Sequence, residues 1–166
     1  MIAVVTWLKR SMLVYVLAMS FAGASFASDT SEQNVTALAW SPDGRMIAAA
    51  KGGIIEILDA SSQALISTLV GNSCAVRSLS WSPDSLYLAS ASCDYGGGQV
   101  WDVTSGELLW NAKTAPYLAT SWSPDGTKIA FTTDGNYLSI WDVETREVLS
   151  SPNVGGTTVD WSPDGS

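Results

Sequence analysis

The pentapeptide Trp-Ser-Pro-Asp-Gly begins at Trp40, Trp122 and Trp161, and a variant closing on serine begins at Trp81. These tryptophans stand 41, 41 and 39 residues apart. A fixed period of this size points to one supersecondary unit built several times over. The first three copies each sit between two short apolar runs, as in 35–40 followed by 46–50, or 76–81 followed by 86–90. Proline fixes φ at the first corner of the turn, aspartate can accept nearby backbone N–H groups, and glycine tolerates a left-handed exit. The unit therefore opens as a β-hairpin whose register is set by its turn.

A second turn rich in Gly, Asp and Asn follows each hairpin, at 51–53, 93–98 and 134–136. A third run comes next (54–58, 99–101, 137–141) and leads into an aspartate each time, at Asp59, Asp102 and Asp142. A fourth run closes the unit at 64–69, 107–110 and 147–149. No segment after the first 27 residues carries a helical period, so the fold class is all-β. Four short antiparallel strands every ~40 residues are the signature of a β-propeller blade. One such sheet cannot bury both faces alone, whereas blades packed around an axis can. The blades fall at about 35–69, 75–110 and 117–149, and a fourth begins at 157. Trp40, Trp81, Trp122 and Trp161 are expected to pack between neighbouring blades. A closed ring generally needs about four blades or more. The reading is thus an incomplete propeller: either a fragment of a longer chain, or a unit whose copies assemble to close the ring.

Ser-Pro-Asp-Gly together with Trp101-Asp102-Val103 and Ile140-Trp141-Asp142-Val143 resembles the WD40 (tryptophan–aspartate) repeat family, over roughly 34–166. The fit is best across 86–109, which reads as a consensus repeat with one inserted residue. That family often carries Gly-His before the first strand and a His–Ser–Asp–Trp hydrogen-bond network within the blade. This chain has no histidine, and Gly71-Asn72-Ser73-Cys74 stands at the matching place before Val76. The second blade alone keeps candidate remnants of the network, in Ser92, Asp94 and Trp101, and Leu58 replaces the tryptophan in the first. Trp122–Phe131 also resembles the repeat of TolB-like periplasmic propellers, a reading with which export agrees, while the Trp-Asp-Val ends favour the WD40 side.

The N-terminus supports export independently. Lys9-Arg10 precede the apolar run 12–22, and the small residues of GASFAS follow, with Ser25 and Ala27 at the −3 and −1 positions of a cleavage site and a cut after Ala24 as the second option. Residues 1–27 are read as a signal peptide and 28–34 as a short linker, which places the mature chain in the periplasm or outside the cell. A membrane is a partner only if that segment stays uncleaved. Beyond residue 27 the chain holds 6 Lys and Arg against 16 Asp and Glu, a balance of −10. Such a surface repels a phosphate backbone, so nucleic acid is not an expected partner.

Catalytic chemistry finds no foothold. Without histidine the commonest general base and metal ligand are missing, and no nucleophile elbow or phosphate-binding loop is present. Gly96–Gly98 lie in a strand-to-strand turn, and the repeated aspartates are turn formers. No cofactor, metal or catalytic residue is expected. The only cysteines are Cys74 and Cys93. If Trp81 lies opposite Leu86, the two cysteines lie opposite each other, and they form either a disulfide or two free thiols.

The chain is accordingly read as a non-enzymatic scaffold that docks an unidentified protein on its loops. The candidate contact residues are Lys51, Asp94, Tyr95, Tyr117 and Asn136. The alternative is a piece of a larger exported enzyme or small-ligand binder whose active loops lie elsewhere.

Overall fold

The computed structural model describes residues 34–165, apart from 94–96, 113–114, 136 and 155. The segment read as a signal peptide, and the linker up to residue 33, lie outside the described residues. Twelve strands form three four-stranded antiparallel sheets, each ordered as in the chain. Blade 1 holds β1 (Val35–Trp40), β2 (Met46–Lys51), β3 (Ile54–Asp59) and β4 (Leu65–Val70). Blade 2 holds β5 (Val76–Trp81), β6 (Tyr87–Ser92), β7 (Gly98–Asp102) and β8 (Leu108–Ala112). Blade 3 holds β9 (Tyr117–Trp122), β10 (Lys128–Thr133), β11 (Leu138–Asp142) and β12 (Val148–Ser150). Neighbouring blades meet chiefly through their first strands, β1 against β5 and β5 against β9. Residues 157–160, expected to open a fourth blade, form no strand.

The repeated pentapeptide closes its hairpin with side chains. Ser41, Ser82 and Ser123 each donate a hydroxyl hydrogen to the aspartate two residues on, at 2.6, 2.6 and 2.5 Å. The same oxygens accept the backbone N–H five residues on, at 2.9 Å from Met46, Tyr87 and Lys128. Each aspartate then accepts an N–H inside the turn, from Arg45, Leu86 or Thr127 at 3.0 Å. The serine thus spans a wider turn than the tetrapeptide suggests. Trp81 faces Leu88, not Leu86, just as Trp40 faces Ile47 and Trp122 faces Ile129. Gly44, Gly126 and Gly165 leave their turns at φ of 72–76°, and Ser85 does so at 64°.

Strand alternation sends each blade's two faces to different neighbours. From blade 2, Leu88 and Trp101 join Ala48, Ala50, Ile55, Ile57 and Leu69 of blade 1 in one core cluster. Ala89, Ala91 and Val100, on the other face, pack with Tyr117, Ile129 and Phe131 of blade 3. Polar bonds stitch the same seams. The Trp81 indole donates to Ala39 O at 3.1 Å, Thr120 N–H to Ser78 Oγ at 3.2 Å, and Trp122 N–H to Ser80 Oγ at 2.9 Å. Trp161 repeats the move beyond blade 3, donating its indole N–H to Ser121 O at 3.1 Å. Trp40 has no described blade on its side and is 42% exposed, against 6% for Trp81 and 7% for Trp122.

Candidate functional site

The β2–β3 and β6–β7 turns and the links between blades emerge at one end of the sheets, the expected docking end. There the structure fastens backbone to backbone. Val76 N–H donates to Gly52 O at 2.8 Å, and a side chain at Gly53 would collide with the carbonyl of Asn72. Cys74 and Cys93 are joined in a disulfide with their Cα atoms 5.7 Å apart, which ties the link before β5 to the turn after β6. The bridge forms although the hairpin register differs from the expected one. A register shift between Val76 and Ser78 takes back part of the two-residue offset introduced by the wider turn.

The contact residues read from the sequence fare unequally. Lys51 is half-buried and its Nζ lies 2.7 Å from Glu56 Oε2 in an ion pair across the β2–β3 turn. Asp94, Tyr95 and Asn136 lie outside the described residues. Tyr117, expected on the surface, is fully buried, its ring centroid 4.8 Å from that of Phe131. A register shift between Thr132 and Thr133 sets Tyr117 opposite Thr133, on the face of Phe131, so its ring enters the blade 2–blade 3 core, whereas Ala119 lies opposite Thr132 and does not join that core. The glycine-rich turn exists partly for that ring. A Cβ on Gly97 would fall 2.8 Å from Tyr117 Cδ2, and one on Gly98 would fall 2.9 Å from Phe131 Cε1.

At the opposite end the aspartates are consumed by their turns. Asp59 Oδ1 accepts from the hydroxyls of Ser61 and Ser62 at 2.7 and 2.8 Å and from their N–H groups at 3.0 and 2.7 Å. The Ser61 hydroxyl above all, then Ser62, holds its carboxyl far below the usual range. Asp102 accepts from Thr104 and Ser105 N–H, and Asp142 from Thr145 N–H, which lowers the Asp142 pKa. The Ser123 hydroxyl and Thr127 N–H pull Asp125 down to about 2, and Ser41 and Arg45 lower Asp43 likewise. Asp43, Asp59, Asp125 and Asp142 are therefore poor proton acceptors, and each of these aspartates, Asp102 included, serves as a turn anchor. Among the described residues, no three His, Cys, Asp or Glu side chains group so as to hold a metal.

Trp101 shows what remains of a polar network inside a blade. Its indole N–H donates to Ser90 Oγ at 3.1 Å with both groups buried. The serine is Ser90 rather than Ser92, which instead donates to Gly97 O at 3.2 Å. In blade 3 Phe131 occupies the place of Ser90, and the buried Trp141 indole N–H has no partner.

One cleft opens on the seam between blades 2 and 3, with a volume near 200 Å³. Tyr87, Trp110, Trp122 and Arg146 line it, together with Val100 and Val143. The Trp110 ring is half-buried, 5.7 Å from that of Trp141.

Three antiparallel four-stranded sheets in chain order, meeting through their first strands and stitched by a repeated tryptophan, are β-propeller blades. Family comparisons agree: a model described as "WD domain, G-beta repeat" matches residues 63–102, and one for the "Anaphase-promoting complex subunit 4 WD40 domain" matches residues 5–74. Both matches are to WD40 models and together span residues 5–102, which supports a WD40-repeat β-propeller. The chain is 28% identical over 80% of its length to WD repeat and HMG-box DNA-binding protein 1 of Xenopus laevis. It is 27% identical over 90% of its length to WD repeat-containing protein slp1 of Schizosaccharomyces pombe, and 36% identical over 51% to Actin-interacting protein 1 of Drosophila melanogaster. The chain spans only 13%, 32% and 14% of these relatives. A solved Kuenenia stuttgartiensis hydrazine synthase chain superposes with a TM-score of 0.74 at 19% identity, covering 89% of this chain and 44% of that one, a likeness of fold alone.

Proposed function

We propose that this chain is an exported, non-catalytic scaffold that docks a protein partner on its propeller blades. The observation that carries the reading is the way neighbouring blades are locked. At the loop end Val76 N–H bonds Gly52 O of the neighbouring blade, and the Cys74–Cys93 disulfide ties the link before β5 to the turn after β6, a preorganised surface that lowers the ordering cost of binding. WD-repeat relatives support the scaffold, one of them named for its interaction with actin. The N-terminal sequence supports export: its basic pair, apolar run and small-residue exit fit a signal peptide cut before Ser28.

Two experiments test the reading. N-terminal sequencing of the chain recovered from its producing cells should begin at Ser28 in the exported fraction; an intact Met1 in the cytosol sinks the export half. A photo-crosslinking residue at Lys51, on the loop end, should give a discrete protein adduct in those cells. The same residue at Arg45, on the opposite end, should give none. Equal or absent adducts at both positions contradict docking at the loops.

A further inference from the structure

The two seams of this molecule share one backbone frame but differ in side chains. Register makes them directly comparable. Trp40 faces Ile47 as Trp81 faces Leu88, so Met46 of blade 1 corresponds to Tyr87 of blade 2. Ile57 faces Ser67 as Val100 faces Trp110, so Ser67 corresponds to Trp110. Gly106 and Arg146 both stand four residues after their strand-ending aspartates, at φ of 75° and 61°. Where the blade 1–blade 2 seam uses Met46, Ser67 and Gly106, the blade 2–blade 3 seam carries Tyr87, Trp110 and Arg146.

The fold does not need those three side chains, since the first seam packs without them. There Ser67 Oγ donates to Val103 O at 3.4 Å and the Trp81 indole donates to Ala39 O. The second seam holds more side-chain bulk and still leaves the open 200 Å³ cleft. Trp122, which lines it, keeps a buried indole N–H with no acceptor, unlike Trp81 and Trp161. Tyr, Trp and Arg are also the residue types that dominate binding hot spots.

We infer that this cleft is a docking site for a segment of a protein partner that inserts one bulky apolar side chain between Tyr87, Trp110 and Trp122 and sets an adjacent carboxylate on Arg146. The volume fixes the size of the guest, because drug-sized ligands occupy pockets of ~300 Å³ or more. The charge fixes its neighbour: exposed Arg146 forms no ion pair among the described residues, whereas Arg45, Lys51 and Lys128 each lie within 4 Å of a carboxylate. Its guanidinium can grip a carboxylate in bidentate fashion. Glu144 and Glu147 flank it in sequence but do not line the cleft, so they narrow the choice of partner to one whose carboxylate reaches Arg146 directly. The cleft sits at the turn end of the blades, beside Tyr87 and Arg146 and opposite the loops, so the inference goes beyond the loop-docking reading and gives the scaffold a second docking surface.

The test is selection of a random short-peptide display library on the whole chain, followed by affinity measurement of the enriched peptides against two variants. Trp110→Ser and Arg146→Gly install the residues that the first seam already uses, so both are expected to keep cooperative unfolding. The enriched peptides should share a Leu, Ile, Phe or Trp beside an Asp or Glu. Their affinity should fall about tenfold or more with each variant. Peptides bound equally by both variants, but lost on changing Lys51, would overturn the cleft and leave the scaffold standing. Enrichment of no peptide at all would count against both.

Discussion

Gly98 tests the packing of the blade 2–blade 3 core. It lies in β7 beneath two fully buried rings, Tyr117 and Phe131. An added methyl at Gly98 would sit 2.9 Å from Phe131 Cε1, 3.0 Å from its Cζ and 3.1 Å from Tyr117 Cδ2. Two effects compete in Gly98→Ala. Removing a glycine restricts the unfolded chain and by itself stabilises by ~0.4–1 kcal/mol. Overpacking two rings that touch each other and have no solvent to move into costs ~1–3 kcal/mol. The second should win, for a net loss of about 1–2 kcal/mol, read as a shift of the urea midpoint at constant slope. Phe131→Leu opens room at the same spot, so the double variant should be less destabilised than the sum of the singles, a coupling of ~0.5 kcal/mol or more. Gly98→Ala at or above wild-type stability, or strict additivity with Phe131→Leu, would refute the packing account.

Three further outcomes follow from the same structure. Ser90→Ala removes the acceptor of the buried Trp101 indole and should cost ~1–3 kcal/mol by denaturant unfolding; no change would mean that the bond contributes nothing. Asp43, Asp59, Asp125 and Asp142 have folded pKa values below the unfolded 3.8, so each binds protons more weakly when folded. Their stabilisation is present above about pH 4 and is lost as pH falls toward the Asp125 value of about 2; a loss beginning above pH 6 would contradict this. Reducing the Cys74–Cys93 bond, which spans 19 residues, should lower stability by ~3 kcal/mol, and thiol titration of the unfolded, unreduced chain should find no free thiol.

The sequence made the architecture legible because a blade advertises itself at fixed intervals. Period, turn chemistry and strand alternation all name the same unit, and the observed strands begin and end within about two residues of the runs read from it. The hairpin register was not legible, because the turn is closed by serine hydroxyls such as Ser82 Oγ, which a count of turn residues does not reveal. The tryptophan's partner also differs from the one the family resemblance implied, Ser90 instead of Ser92. Tyr117 was misread from its residue type alone. The register shift in β9 that turns its ring into the core beside Phe131 leaves no mark in the residue spacing. The cleft at Trp110 and Arg146 was hidden for another reason. It emerges only when one seam is compared with the next, residue by residue, and that comparison needs the register.

The central claim is that the blades form one locked body rather than a string of separate sheets, and native-state hydrogen exchange tests it most directly. The amides of Thr120 and Trp122 donate across the seam to Ser78 and Ser80, while that of Phe131 lies inside blade 3. If the blades are locked, all three should exchange only through global unfolding and with the same free energy. Slow exchange at Phe131 with fast exchange at Thr120 and Trp122 would mean that the seams open while the sheets stay intact, and the rigid scaffold would fall with them.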